Sequence, residues 1–259
     1  MDSIKEYVTS RLWFTYRKNF MPIGGTGPTS DQGWGCMLRC GQMLLAQALI
    51  VRHLGTEWMW DRDNKEEDYK RILRMFQDKK CCPFSLHQIG SVKMCMLQSA
   101  LMKECDENPV EDEEQWRPLL IIVPLRLGLT SINRCYLPAI ELIYLDPHVC
   151  QAAIDLDERC ASLQQQDGFV EVVKSTDIFD DSSYHCPFLL HIAYDSADPS
   201  LALSFICRTE EEYEHLANNL KTKVLPASSP PLFELLETRP KGFPPFVPYV
   251  GENAKLQGW

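Results

Sequence analysis

The chain has 259 residues, 45% hydrophobic and 24% charged, an ordinary balance for a globular protein with one large core or a core plus a small inserted lobe. A formal net charge of −10 argues against a nucleic-acid surface and is compatible with a basic protein partner. The longest apolar runs, such as 119–125, contain proline and fall far short of a membrane span, and Met1 to Glu6 lacks the apolar stretch of a secretory signal, so a cytoplasmic protein is expected.

Residues 11–20 read as a short aromatic element that begins the fold. Residues 21–35 hold five glycines and two prolines and are predicted to be a loop. From Met37 to His53 the apolar residues Leu38, Leu45, Ala48 and Leu49, flanked by Met37, Met43 and Leu44, predict one buried helix that stops at Gly55. A charged stretch from Asp61 to Asp68 leads into an amphipathic segment from Tyr69 to Phe76, and residues 106–114 read as a solvated loop. Strands are predicted at 119–125, 141–145, 188–193 and 203–207, then a helix from Glu210 to Lys221 and a proline-rich, irregular tail. An early helix followed by strands fits a layered α+β domain.

Eleven cysteines in a long chain, many within apolar stretches, read as reduced thiols that mostly pack as small core residues. Cys40 lies one helical turn after Cys36; it is expected in the core, with a redox-sensitive second thiol as the other reading. Cys81-Cys82 with His87, and His185-Cys186, match no structural zinc spacing, so no metal is expected. Phe233-Glu-Leu-Leu236 has the spacing of a strand-addition peptide, but packing, on a helix, is the favoured role.

The sharpest local feature is Gly33-Trp34-Gly35-Cys36-Met37, which closes the glycine loop and opens the helix. Unsatisfied N–H groups and the positive dipole end of a helix favour an anionic sulfur there. The same N–H groups can hold an oxyanion, and the flanking glycines admit a substrate backbone. Two local readings of Cys36 stand: a nucleophile, or a buried packing cysteine beside a tight turn. Gln32 is a weaker oxyanion candidate in the same loop.

The second feature is Asp146-Pro147-His148 at a strand end. In extended backbone, residues two apart project to one side, so the carboxylate can hold an imidazole tautomer and stabilise an imidazolium. A plain polar turn is the rival, and the coincidence with the Cys36 motif favours the catalytic reading.

These residues resemble the autophagin family, the autophagy-related protein 4 cysteine peptidases. The resemblance runs through Leu12-Trp-Phe-Thr-Tyr-Arg17, Pro22-Ile-Gly-Gly-Thr-Gly-Pro28, Gly33-Trp-Gly-Cys-Met-Leu-Arg-Cys-Gly-Gln-Met43 and Leu120-Ile-Ile-Val-Pro-Leu-Arg-Leu-Gly128. It continues in Tyr144-Leu-Asp-Pro-His148, Pro199-Ser-Leu-Ala-Leu203 and Pro244-Pro-Phe-Val-Pro248. It implies a papain-like α/β (α+β) fold with a small additional lobe: one peptidase domain over residues 1–250 and a tail at 251–259. It also implies a triad of Cys36, Asp146 and His148, with Tyr16 near the oxyanion and Trp34 and Gly35 beside a narrow slot for the substrate glycine. No cofactor is implied. The implied partners are GABARAP-type ubiquitin-like modifiers, cut after their C-terminal glycine or released from phosphatidylethanolamine, with membrane contact only through the substrate and no nucleic acid.

The chain departs from the family pattern at Gly90–Ser91 and Ile140–Glu141, where segments flanking the cleft are missing, and a modifier-binding acidic tail is not matched. Residues 150–186 are longer and less familiar than the family leads one to expect. Loss of a flanking segment at 140–141 would leave the strand before Asp146 with an unpaired edge, so omission of residues at these junctions is the expectation. The rival reading of function is a weak pseudo-peptidase that acts as a modifier-binding adaptor; a zinc-binding scaffold is a third.

Overall fold

The protein is seen in a computed structural model that describes residues 2–63, 65–89, 116, 118–129, 132, 141–156, 160–166, 169–176, 179–193, 196–226 and 231–236. Residues 106–114, both sequence junctions up to Ile140, and the tail at 251–259 therefore lie outside the described residues. The chain divides into two units, one of residues 1–94 with 144–190 and one of residues 95–143 with 191–259.

The first unit opens with α1 (Asp2–Thr9) and the three-residue strand β1 (Tyr16–Lys18). The predicted loop follows, tightened by one 3-10 turn at Ile23–Gly25, in which Gly24 and Gly25 both have positive φ. Helix α2 (Cys36–His53) then runs close to its predicted span. It ends where Leu54 and Gly55 both donate to the Ile50 carbonyl, with Gly55 at a φ of 96°. Helices α3 (Glu67–Arg74) and α4 (Leu86–Ile89) follow. Later in the chain β4 (Cys150–Ala152) pairs in parallel with β1, and β5 (Cys160–Gln166) forms an antiparallel hairpin with β6 (Phe169–Thr176).

The core of this unit joins Leu12 and Phe14 to Ala46 and Ile50 of α2, and to Tyr69, Ile72, Leu73 and Phe76 on and just after α3. The helix-period spacing of that last group buries one face of α3 and leaves its charged face in water. In α2 the buried positions are not those expected from hydrophobicity alone. Arg39 and Gln42 are buried, while Met37 is 69% exposed. Arg39 can enter the interior because two carboxylates meet it there, which apolar periodicity does not register.

His185 shows a second buried polar arrangement. Its Nδ1 lies 2.9 Å from the Thr9 carbonyl and its Nε2 lies 2.8 Å from the Tyr69 hydroxyl, while Trp60 stacks on the ring at 3.9 Å. Both ring nitrogens are thus engaged by the fold, and the neighbouring Cys186 thiol points at the Phe188 carbonyl. Among the described residues no group of three or more His, Cys, Asp or Glu side chains is placed to hold a metal. Burial holds the imidazole down to about 4, against its hydrogen bond to Thr9. Between that value and the ordinary histidine value near 6.5 the unfolded chain binds more protons than the folded one, so stability falls as pH falls through this window. Thermal unfolding should show a roughly level midpoint above pH 7 and a loss of at most roughly 3 kcal/mol by pH 4 from this group. The acid loss should be smaller in His185→Gln, and an equal loss in both proteins would show that other groups carry it.

The second unit contains β2 (Leu119–Arg126), which pairs antiparallel with β8 (Ser200–Cys207) in unbroken register from Leu119↔Cys207 to Arg126↔Ser200. Leu125, Leu127 and Ile132 form its apolar cluster, against which Leu201, Leu203 and Phe233 pack. Phe233 therefore serves packing, though from an irregular segment and not from a helix. Strand β3 (Glu141–Tyr144) pairs with β7 (Leu190–Ala193), so the strand leading to Asp146 does have a partner. Helix α5 (Glu210–Asn219) starts at Thr209, whose hydroxyl accepts the Glu212 N–H, and it passes into a short π-helical turn at Leu220–Val224. No helix among the described residues is long and apolar enough to cross a membrane.

Candidate active site

All the sequence-selected site residues belong to the first unit. Cys36 is the first residue of α2, half-buried, with buried Gly35 before it and Met37 exposed after it. The turn that delivers it is closed by the Asp31 carbonyl, which accepts the N–H groups of Trp34 (3.1 Å) and Gly35 (2.8 Å). Gly33 adopts a φ of 87° within this turn, a conformation that a side chain would strain. Trp34 stays 44% exposed, but its indole N–H is pinned to the Ser30 carbonyl at 3.1 Å. It is thus a fixed aromatic surface immediately before the thiol.

Asp146 and His148 meet, but not by the strand projection expected of them. β3 ends at Tyr144, and Pro147 and His148 lie in a turn. The Asp146 carboxylate folds back over this turn: its Oδ1 accepts the His148 backbone N–H at 3.0 Å and lies 2.7 Å from Nδ1 of the same residue. One oxygen therefore fixes both the backbone and the ring, a tighter constraint than two side chains on one face of a strand. The Asp146 carbonyl accepts the Trp13 indole N–H at 2.7 Å, and the Pro147 carbonyl accepts the Tyr16 N–H at 2.9 Å. Trp13 was not singled out from the sequence. Its signal was only its place in an aromatic block beside Tyr16.

Tyr16 joins the two halves. Its ring meets the His148 ring edge-on with centroids 5.6 Å apart, and its hydroxyl has the Cys36 thiol and the Gly33 backbone as hydrogen-bonding neighbours. Burial, then the contact with Cys36, pushes the phenol up to about 12. At neutral pH it is a protonated donor. Cys40 is exposed, not in the core as expected, because its turn of α2 faces the Cys36 side and not the apolar cluster. Its thiol is pushed up by desolvation and then by its electrostatic interactions with Cys36 and Asp146. Gln32 is exposed, and its backbone N–H bonds to the Ser30 hydroxyl at 3.3 Å.

A thiol, an imidazole held by a carboxylate and a protonated phenol thus converge within one unit. The family described as the Peptidase C54 catalytic domain matches residues 1–101 and 139–219, more than half of the chain. Cysteine protease ATG4A of Gallus gallus is 34% identical over 334 residues, covering 93% of this chain and 83% of that protein. Human cysteine protease ATG4A is 31% identical over 93% of this chain and 79% of its own length, and cysteine protease ATG4B of Xenopus laevis 32% over 90% and 79%. An alignment of 334 positions exceeds the 259 residues of this chain, so the relative carries internal stretches that this chain lacks.

Proposed function

We propose, because the chain belongs to the peptidase C54 family of papain-like cysteine peptidases, that Cys36 is its nucleophile, His148 its general base and acid, and Asp146 the group that orients the histidine. That it is an autophagy-related cysteine peptidase follows from the family; the residue roles and the substrate are the proposal. The substrate is a ubiquitin-like modifier of the GABARAP type, cut after its C-terminal glycine or released from phosphatidylethanolamine. Residues 1–250 are read as one peptidase domain.

The observation that carries the reading is the 2.7 Å contact of Asp146 Oδ1 with His148 Nδ1, beside a tyrosine that touches both the histidine ring and the thiol. With Nδ1–H donated to the carboxylate, Nε2 is the nitrogen left to take the thiol proton. Sulfur attacks the glycine carbonyl carbon, and the oxyanion accepts hydrogen bonds from the Tyr16 hydroxyl and from N–H groups at the start of α2. The intermediate collapses as His148 returns the proton to the leaving amine, which leaves a thioester on Cys36. Water, deprotonated by His148, then hydrolyses the thioester. Exposed Trp34 and the open space over side-chain-free Gly33 suit an extended chain that ends in glycine, whereas Gly35 is buried and the space of its missing side chain is taken by Asp31.

The test is incubation with a GABARAP-type modifier extended beyond its glycine, and separately with the same modifier conjugated to phosphatidylethanolamine in vesicles. Product mass ending at the glycine in both arms supports the reading. A stable complex without product supports the adaptor function instead, and cleavage of the soluble fusion alone removes the lipid-release activity.

A further inference from the structure

A carboxylate that the chemistry above does not use lies beneath the nucleophile. Asp31 is wholly buried in the turn before α2. Its Oδ1 accepts the backbone N–H of Arg17 at 2.6 Å and the Nη2–H of Arg39 at 3.2 Å, while its Oδ2 accepts the Nε–H of Arg39 at 2.9 Å. Its backbone N–H donates to the Arg17 carbonyl at 3.2 Å. Arg17 follows Tyr16 on β1, and Arg39 lies one turn after Cys36 on α2. We propose that Asp31 is a positioning residue, a clamp that holds β1 with Tyr16 against the first turn of α2 with Cys36.

Several independent features converge on this role. Arg39 is itself buried, and it continues to Asp78 (Nη2 to Oδ2, 3.1 Å) and to the Gln42 amide oxygen (3.1 Å), so the clamp is anchored behind as well as in front. Asp31 and Asp78 face Arg39, and the buried Arg17 guanidinium interacts with both carboxylates, so two positive and two negative charges balance in the interior. Gly35 is shaped to the clamp: a Cβ there would lie 2.1 Å from Asp31 Oδ2 and 2.7 Å from its Cβ and Cγ. The carboxylate therefore passes directly under the residue before the nucleophile, in space that only glycine leaves open. Each oxygen has a separate duty, one reaching both β1 and α2 and the other α2 alone. An amide has only one oxygen, so Asn at this position can satisfy one side and turns an N–H donor toward the other.

This inference rests on the reading of Cys36 as nucleophile, and the experiment separates the two. Asp31→Asn is assayed for kcat and KM on the modifier fusion, well below its own unfolding midpoint, beside Asp78→Asn, which loosens Arg39 from behind and leaves both oxygens of Asp31 in place. The expected result is a fall in kcat of roughly 10- to 100-fold in Asp31→Asn with KM within about three-fold, because the Tyr16–Cys36 geometry shifts while the exposed substrate surface stays. Asp78→Asn is expected to lower the unfolding midpoint with kcat within about three-fold of the parent. Arg39→Lys keeps the charge but loses the fork, so its kcat should lie between parent and Asp31→Asn. Should Asp31→Asn fail to fold, Arg39→Lys decides on the same kcat readout. The clamp is overturned if the variant that decides loses no more kcat than Asp78→Asn, or if KM alone rises. Turnover by Cys36→Ala would instead remove the nucleophile assignment.

Discussion

Cys36→Ala is expected to leave less than about 1% of parental cleavage while binding the modifier within about three-fold of the parent affinity. Cys36 starts a helix and is half-buried, so its side chain contributes little packing that truncation could remove. The glycine turn before it is held by backbone bonds to Asp31, which the substitution does not touch. Folding stability should therefore change by no more than about 1 kcal/mol. The measurement is single-turnover cleavage of the modifier fusion beside calorimetric binding. Retained turnover of several per cent would remove Cys36 from the mechanism; lost binding would mean that the thiol is part of a docking surface.

Asp146→Asn should lower kcat by roughly two to four orders of magnitude. An amide oxygen at the Oδ1 position can still accept from both the His148 backbone N–H and Nδ1–H, but without the charge that stabilises an imidazolium. In the flipped amide the NH2 group faces Nδ1. That arrangement favours the tautomer with the proton on Nε2, the nitrogen that must receive the thiol proton. The Trp13 bond to the Asp146 carbonyl is a backbone contact and survives the substitution, so the turn should keep its shape. Parental turnover would place the orienting acid elsewhere. Asp155 is a poor replacement, because it is ion-paired with Lys79, and Asp157 lies outside the described residues.

Local chemistry made part of this site legible in the sequence. A run of glycines ended a loop where a helix period began, and Cys36 stood at that boundary. Asp146 and His148 were found as a pair, but their meeting depends on an Asx-type turn around Pro147, which an alternating-strand argument does not contain. The burial of Arg39 was illegible for a different reason. A charged residue reads as a solvent face unless its partners are known, and Asp78 lies 39 residues away in sequence. The exposure of Met37 and Cys40 follows from the same error of face. The hairpin of β5 and β6 lacked the apolar alternation that would have announced it, with Gln164, Gln165 and Gln166 in succession. By contrast β2 and β8, rich in branched and apolar residues, were found within a few residues of their ends.

In the proposed reaction one thiol among eleven cysteines forms the bond to substrate. The direct measurement is reaction with a GABARAP-type modifier carrying an electrophilic group in place of the bond after its C-terminal glycine, followed by intact mass and peptide mapping. A single adduct on Cys36 is expected, absent in Cys36→Ala and formed much more slowly in Asp146→Asn. An adduct on Cys40 or any other cysteine, or a tight complex with no adduct, would contradict that reaction.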